Sequence, residues 1–144
     1  MPKVLIIYHS QTGNTEIMAK AISEGVKFAE ATVILKKTAD ATVDDLLDCD
    51  SVAFGTPNNF GYMAGIVKDF FDRTWPAAQD KVANKPYVAF GSSGSGEKSA
   101  LDSIDRFCNY FKLRKASENI MATGKPSEAI LRQCEELGRK FALL

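Results

Sequence analysis

The sequence has no excess of charge of either sign, because 18 Lys and Arg residues balance 18 Asp and Glu residues. A protein that binds nucleic acid without regard to sequence carries a basic excess, so this balance argues against such a partner. Long hydrophobic runs are also lacking. The run from Val4 to Tyr8 is far shorter than the roughly 20 apolar residues of a membrane span. We therefore expect neither a nucleic-acid partner nor a membrane partner.

Cysteine is scarce as well: the three residues Cys49, Cys108 and Cys134 are far apart. Their odd number and wide spacing favour buried thiols in a reducing cytosol over disulfides or a metal site. The first residues, Met1, Pro2 and Lys3, lead directly into an apolar run, without the hydrophobic region and cleavage site of a secretory signal. These features predict a cytoplasmic protein that holds no metal.

Short β-rich runs alternate with longer amphipathic segments along the 144 residues, which suit one globular domain over residues 1–144. We predict strands at 4–8, 32–35, 51–54, 87–90 and about 116–121. We predict helices at 14–28, 42–47, 64–75, 99–111 and about 126–143. In the first helix Ile17, Ala21, Gly25 and Phe28 share one stripe, with Met18, Ile22 and Val26 beside it. Pro76 is expected to stop the third helix.

This alternation predicts the α/β class, with a parallel sheet, right-handed crossovers and helices on both faces. Ligands of such sheets bind outside the carboxyl ends of the strands, near the switch in strand order. The loops after the first, third and fourth strands are therefore the candidate site.

The first of these loops consists of Ser10, Gln11, Thr12, Gly13, Asn14 and Thr15. Backbone N–H groups converge at a helix N-terminus, where the helix dipole favours an anion, and Gly13 permits a tight turn. The loop has no Lys or Arg, and the sequence contains neither G-x-x-x-x-G-K-[ST] nor G-x-G-x-x-G. A single phosphate monoester suits this loop better than a polyphosphate. The alternative is a hydrophilic turn with ordinary helix capping.

Residues 8–16, Tyr-His-Ser-Gln-Thr-Gly-Asn-Thr-Glu, closely resemble the phosphate loop of flavodoxins and flavodoxin-like reductases, which bind flavin mononucleotide (FMN). The resemblance implies that residues 10–15 surround the 5′-phosphate of FMN. It also implies a flavodoxin-like, doubly wound sheet of five strands in the order 2-1-3-4-5. The partners implied are redox proteins, a reductase and an electron acceptor, and the chain is expected to be a monomer or a weak homo-oligomer.

The second loop, residues 55–63, is unusual for a strand end because it contains two aromatic residues and a methionine. Flat apolar side chains beside a phosphate site favour a planar ring. The segment is similar to flavodoxin-like quinone reductases, in which the residues matching Asn58, Asn59 and Phe60 contact the flavin. Tyr62 stands where that family often has asparagine. The cofactor-binding residues expected here are Pro57, Asn58, Asn59, Phe60, Gly61 and Tyr62. The alternative is that Phe60, Tyr62 and Met63 only cover the sheet edge.

The third loop, residues 91–97, combines glycines with small hydroxyls, so its backbone can approach the polar edge of a ligand. The resemblance places the second ring-binding loop of the family here. The cofactor-binding residues expected are Ser92, Ser93, Gly94, Ser95 and Gly96. Many carriers have an aromatic residue in this loop that stacks on the flavin, and this sequence has none. One face of the ring is therefore expected to be open, with Trp75 as a possible cover or as part of the core.

The function that the resemblance implies is noncovalent FMN binding for electron transfer. No residue has the pattern of a nucleophile or general base, and this mechanism needs none. An NAD(P)H-dependent quinone or flavin reductase is the alternative, supported by the second loop. The larger quinone reductases carry extra segments for which 144 residues leave little room. A third reading is a binding module that kept the fold and lost the flavin; the intact first loop argues against it.

Overall fold

The computed structural model describes residues 2–144. Met1, the first residue of the segment predicted not to be a secretory signal, lies outside the described residues. The strands are β1 (Lys3–Tyr8), β2 (Thr32–Lys37), β3 (Ser51–Pro57), β4 (Pro86–Ser93), β5 (Arg114–Lys115) and β6 (Ile120–Thr123). The helices are α1 (Asn14–Phe28), α2 (Val43–Asp48), α3 (Gly65–Ala78), α4 (Ser99–Tyr110) and α5 (Glu128–Ala142). None of the helices within residues 2–144 is both long and apolar enough to span a membrane.

The strands form a parallel sheet in the order β2-β1-β3-β4-β5, with β6 also paired to β4. This order confirms the predicted fold class, including the 2-1-3-4-5 arrangement. The order reverses between β1 and β3, where Tyr8 is level with Gly55. On the next strand, Pro57 is level with Ser92. The carboxyl ends of β1, β3 and β4 therefore meet at one edge of the sheet, at the switch point where such folds bind ligands.

Two apolar cores cover the two faces of the sheet. Alternate residues of β1 supply both, because successive side chains of a strand point to opposite faces: Val4 and Ile6 contribute to one core, Leu5 and Ile7 to the other. The helices α1 and α5 cover the face of Val4, and α2, α3 and α4 cover the face of Leu5. Burial on both faces explains why the strands read as continuous apolar runs.

The bounds predicted for helix α1 are confirmed. The stripe that begins at Ile17 and ends at Phe28, however, is not the buried one. Ile17 and Phe28 are exposed, whereas Met18, Ile22 and Val26 are buried. Gly25 lies against α5, where an added Cβ would stand 2.0 Å from the Glu135 carbonyl oxygen. The close approach of α1 and α5 at this glycine decides which stripe faces the core.

The prediction that Pro76 ends the third helix is also wrong, because α3 continues to Ala78 with Pro76 inside it. Proline removes the N–H that would donate to the carbonyl of residue 72, four positions earlier. Pro76 and Asp72 are both exposed residues, so water can hydrogen-bond to the freed carbonyl. The helix therefore continues for its last residues.

The single fifth strand predicted at 116–121 is instead two short strands, β5 and β6. Between them, the side chain of Asn119 accepts the Ala89 N–H (3.0 Å), which replaces a bond of the backbone ladder. The Asn119 amide in turn donates to Asp105 (2.9 Å), which also accepts from Tyr87 and Lys115. This side-chain network holds the interrupted edge against β4.

Candidate functional site

The first loop is held in shape by Ser10. Its hydroxyl oxygen accepts the N–H groups of Gly13 (3.1 Å) and Glu16 (3.3 Å), and Gly13 has a φ of 96°. Ile17 donates to the Gly13 carbonyl (3.0 Å), as in the first turn of a helix. The serine hydroxyl thus caps the start of α1, and the alternative of ordinary capping accounts for this one residue.

Five other N–H groups of the loop are left without a partner. Among the hydrogen bonds of residues 2–144, none is donated by the backbone of Ser10, Gln11, Thr12, Asn14 or Thr15. Gln11 and Thr12 are exposed and Asn14 is half-buried. Unpartnered N–H groups at a helix N-terminus form an anion-binding site. The loop therefore has the donors that a phosphate monoester requires.

The loops are connected to one another through Ser92. Its hydroxyl lies 3.0 Å from that of Thr15, and both residues are buried. Its carbonyl accepts the Asn58 N–H at 3.0 Å. One residue at the end of β4 thus holds the phosphate loop and the second loop together. The two segments at 55–57 and 91–93, which were predicted as loop, belong to β3 and β4.

A cleft between these elements brings eight of the seventeen predicted residues together. It is lined by Gln11, Thr12, Asn14, Pro57, Asn58, Ser92, Ser93, Gly94 and Gly124. The Oδ1 atom of Asn58 is buried without a hydrogen-bond partner within the described chain. An orphaned buried acceptor is costly unless a ligand supplies the donor. The cleft therefore suits a ligand with an N–H or O–H group on its polar edge.

Gly124 was missed by the sequence analysis. It follows β6, has a φ of 65°, and donates its N–H to the Ser93 carbonyl at 2.7 Å. The signal that could have found it is its position, a glycine two residues before Pro126 at the carboxyl end of a strand. The sequence predicted a fifth strand that ends at about residue 121, so Gly124 was not placed at the end of a strand.

The second loop ends in a tight turn at residues 59–62. Asn59 and Tyr62 exchange both backbone hydrogen bonds, at 2.9 and 3.0 Å. The two central residues, Phe60 and Gly61, have φ values of 56° and 75°, as in a type I′ turn. A positive φ strains an aromatic residue by roughly 1–2 kcal/mol. Phe60 is also fully exposed, whereas Met63 is buried, so covering the sheet edge explains Met63 and not Phe60.

The third loop packs against the second. Ser99 Oγ lies 3.3 Å from the position of a Cβ on Gly61, and it donates to the Glu97 carboxylate at 2.7 Å. Ser95 Oγ accepts the Glu97 N–H at 3.3 Å. A Cβ on Gly96 would stand 2.5 Å from Thr123 Oγ1. Ser95 and Gly96 thus shape the loop from outside the cleft lining.

A second hollow lies on the outer side of the phosphate loop and contains His9, the only histidine of the chain. There the Tyr8 hydroxyl donates to Glu16 at 2.7 Å. Burial, together with the hydrogen bond and charge of Glu16, raises the pKa of Tyr8 to about 12. The hydrogen bond from Tyr8, aided by Lys20, lowers the pKa of Glu16. Tyr8 is therefore neutral and Glu16 charged at neutral pH.

Trp75 does not cover the cleft. It lies near the end of α3 and packs edge-on against Phe111 at 5.1 Å, whereas α3 begins beside the second loop. Ten residues of helix separate Gly65 from Trp75, which corresponds to about 15 Å. Of the two roles that the sequence left open for Trp75, a cover of the ring or a part of the core, packing against Phe111 fits the second.

The three cysteines are buried and unpaired. Burial raises the pKa of the Cys49 thiol to about 11 and that of Cys134 to about 12, and it raises the pKa of Cys108 as well. A thiol with such a pKa is protonated at neutral pH and reacts poorly. No His, Cys, Asp and Glu cluster in residues 2–144 has the arrangement of a metal site.

Comparisons with known proteins agree with this geometry. The sequence model of the family described as Flavodoxin matches residues 6–138. A flavodoxin of Aquifex aeolicus is 31% identical, with 99% of this chain and 86% of that protein aligned. A structure described as a flavodoxin from the domain Archaea superposes with a TM-score of 0.87 at 26% identity, covering 98% of this chain and 96% of that one.

A second kind of relative is an NAD(P)H dehydrogenase (quinone) of Rhizobium meliloti, 36% identical over 127 residues. The alignment covers 70% of this chain and 59% of that protein. The chain therefore spans less than two thirds of the length of this relative.

Proposed function

Because this chain belongs to the flavodoxin family, whose members bind FMN, we propose that it binds FMN noncovalently and carries electrons between redox proteins. The observation that carries the proposal is the set of unpartnered N–H groups in the first loop. We propose that Ser10, Gln11, Thr12, Gly13, Asn14 and Thr15 form the phosphate site. The Gly13 N–H already donates to Ser10, so Gly13 contributes through its conformation.

The orphaned Asn58 oxygen supports the placement of the ring. It lies beside Pro57 and the end of β4, and the polar edge of a flavin ring carries an N–H group that could supply the missing donor. The residues proposed to hold the ring are Pro57, Asn58, Asn59, Phe60, Gly61, Tyr62, Ser92, Ser93, Gly94, Ser95 and Gly96, with Ser95 and Gly96 acting through the shape of the third loop. When bound, FMN supplies the redox chemistry, and the protein binds, orients and partly shields it. The purified protein should be yellow and show flavin absorption bands; a colourless protein that takes up no FMN would contradict the proposal.

The proposed partners are a reductase that delivers electrons and a protein that accepts them. An electron carrier requires an exposed ring edge, and Phe60, two residues after Asn58 of the cleft, is fully exposed. We also propose that residues 1–144 act as one domain and that the protein works in the cytoplasm. Three free, buried thiols support a reducing compartment.

A quinone reductase is the second candidate, favoured by the 36% identity to the Rhizobium enzyme. A reductase holds a nicotinamide or quinone ring flat on the flavin, which requires a pocket roofed by additional side chains. Trp75 lies about 15 Å along α3 from Gly65, so such a roof would have to come from Tyr62 or from a partner chain. The geometry therefore favours the carrier.

The isolated protein loaded with FMN is expected to reduce a simple benzoquinone slowly or not at all with NADH or NADPH. Stopped-flow and steady-state absorbance measure this rate, and a partner reductase should reduce the same sample reversibly. Steady turnover near about 10 per second, the median of enzymes, would favour the reductase instead.

The Thr12→Ala and Thr15→Ala variants are each expected to weaken FMN binding about tenfold or more. Each hydroxyl would lose a charge-assisted hydrogen bond to the phosphate, worth roughly 1.5–3 kcal/mol. Thr12 is exposed, so its variant should keep the stability of the wild type; Thr15→Ala also breaks the contact with Ser92. Titration with FMN and with riboflavin checks the assignment, because Thr12→Ala should leave riboflavin affinity unchanged.

The Gly61→Val variant is expected to fold and to make the first one-electron reduction potential of bound FMN more negative. Valine is strained at a φ of 75° and would crowd Ser99, so the turn loses its freedom to present a carbonyl to the ring. Spectroelectrochemical titration measures the potential, with circular dichroism as the control for folding. An unchanged potential in a folded variant would show that this turn does not tune the cofactor.

A further inference from the structure

An aromatic groove lies between α3 and α4, away from the cofactor cleft. It has a volume of about 370 Å³ and is lined by Phe71, Asp72, Trp75, Phe107, Tyr110 and Phe111. Phe71 and Phe111 form its buried floor, whereas Trp75 is 38% and Tyr110 54% exposed. Large aromatic side chains exposed together on one face mark an interaction surface. The groove and the protruding aromatics that could fill it belong to the same face.

We propose that this α3–α4 face is the interface of a homodimer of this chain. A twofold axis parallel to the two helices would lay α3 of one copy over α4 of the other. Such an interface is isologous, so each copy must offer both halves of every contact. The symmetry therefore requires complementary residues on α3 and α4 at the same height along the axis.

The stacked pair Phe71 and Phe107, with ring centroids 5.7 Å apart, marks one common height on α3 and α4. Both helices run in the same direction because both return between parallel strands. Trp75 lies four residues beyond Phe71, and Tyr110 three beyond Phe107, so their heights agree within about 1.5 Å. The twofold operation would thus bring Trp75 of each copy onto Tyr110 of the other.

The charges at the rim of the groove match in the same way. Arg106 immediately precedes Phe107, and Asp72 immediately follows Phe71, so their heights agree within about 3 Å. Arg106 is exposed and takes part in none of the ion pairs found in residues 2–144. Asp72 is paired within its own helix to Lys68 and keeps an exposed carboxylate. Each copy therefore offers one cation on α4 and one carboxylate on α3, which are complementary under this symmetry.

The size of the face predicts a weak dimer. Helix α3 has 14 residues and is about 21 Å long, and two helices side by side present a face about 20 Å wide. The plan area is about 400 Å², roughly half of what a standard interface buries on each partner. The association should therefore depend on concentration and dissociate on dilution.

Sedimentation velocity and light scattering from about 1 µM to about 500 µM test the proposal; this range spans the affinity expected of a small interface. The mass should rise from 15.7 kDa toward twice that value. Arg106→Glu and Asp72→Arg should each raise the dimer dissociation constant about tenfold or more, because like charges then meet twice across the axis. The double variant should recover to within about threefold of the wild type, since it restores opposite charges.

The matched control is Arg132→Glu on α5, which also reverses an exposed arginine but lies outside the face. It should leave the dissociation constant unchanged, and all variants should bind FMN like the wild type. A mass of 15.7 kDa at every concentration would overturn the proposal. So would dimerisation that the single reversals affect no more than the control does, or a double variant no better than the singles.

Discussion

Riboflavin is expected to bind this protein at least about 1,000-fold more weakly than FMN. The two ligands differ only in the phosphate, and the first loop offers five unpartnered N–H groups and the hydroxyl of Thr12 to an anion. Three charge-assisted hydrogen bonds at the lower figure of about 1.5 kcal/mol give about 4.5 kcal/mol, which exceeds a thousandfold in affinity. Titration by quenching of flavin fluorescence, at one ionic strength, measures both constants.

The pH dependence supplies an internal control for this result. A phosphate monoester loses its second negative charge below about pH 6, so FMN affinity should fall between pH 7 and pH 5. Riboflavin affinity should stay constant over the same range, because that ligand has no phosphate. Equal affinities for the two flavins at neutral pH would contradict the assignment of this loop.

Replacing Gly25 by alanine is expected to destabilise the protein by about 3 kcal/mol, at the upper end of typical overpacking costs. The new Cβ would stand 2.0 Å from the Glu135 carbonyl oxygen, which is backbone and cannot rotate away. A Cβ added to Gly138 would likewise stand 2.1 Å from the Ile22 carbonyl oxygen. The two substitutions act on one helix contact, so the double variant should lose less than the sum of the two.

Thermal unfolding measures the effect, and a loss of about 3 kcal/mol lowers the Tm by roughly 6–12 °C in a protein of this size. Gly65→Ala is the matched control, since no atom lies within 4 Å of its Cβ position; its stability should change by about 1 kcal/mol or less. Gly25 is eleven residues from the start of α1, about 16 Å away, so the folded variant should keep its FMN affinity. A Gly25→Ala protein that melts with the wild type would refute the tight contact.

The phosphate loop shows how much of the candidate site the sequence could predict. Its hydroxyls, amides and Gly13 are consecutive, and a helix start after an apolar strand is a local pattern, so the donors could be read directly. The role of each residue within the loop could not be predicted, because some of these roles depend on partners far away in the chain. Ser10 caps α1 by hydrogen bonds to nearby N–H groups. The hydroxyl of Thr15, in contrast, is paired with that of Ser92, 77 positions later.

The orphaned oxygen of Asn58 and the position of Gly124 are also results of tertiary structure. Whether a buried acceptor lacks a partner depends on every neighbour in the folded chain. Gly124 reaches the cleft only because β6 pairs with β4 beyond the interruption at Asn119. When a side chain replaces one backbone hydrogen bond of a sheet, the pattern of apolar residues does not show it. The sequence therefore predicted one strand where two exist.

The sequence by itself determined the order of strands and helices, the burial of both sheet faces and the location of the site at the strand ends. These features follow from apolar periodicity and from the geometry of parallel sheets, which act over short stretches of chain. Only the tertiary structure decided which stripe of α1 is buried, that α3 continues through Pro76, and that Trp75 lies far from the cleft. Each of these depends on what a side chain meets across the fold: the backbone of α5 at Gly25, solvent around Pro76, and Phe111 of the α4 end beside Trp75.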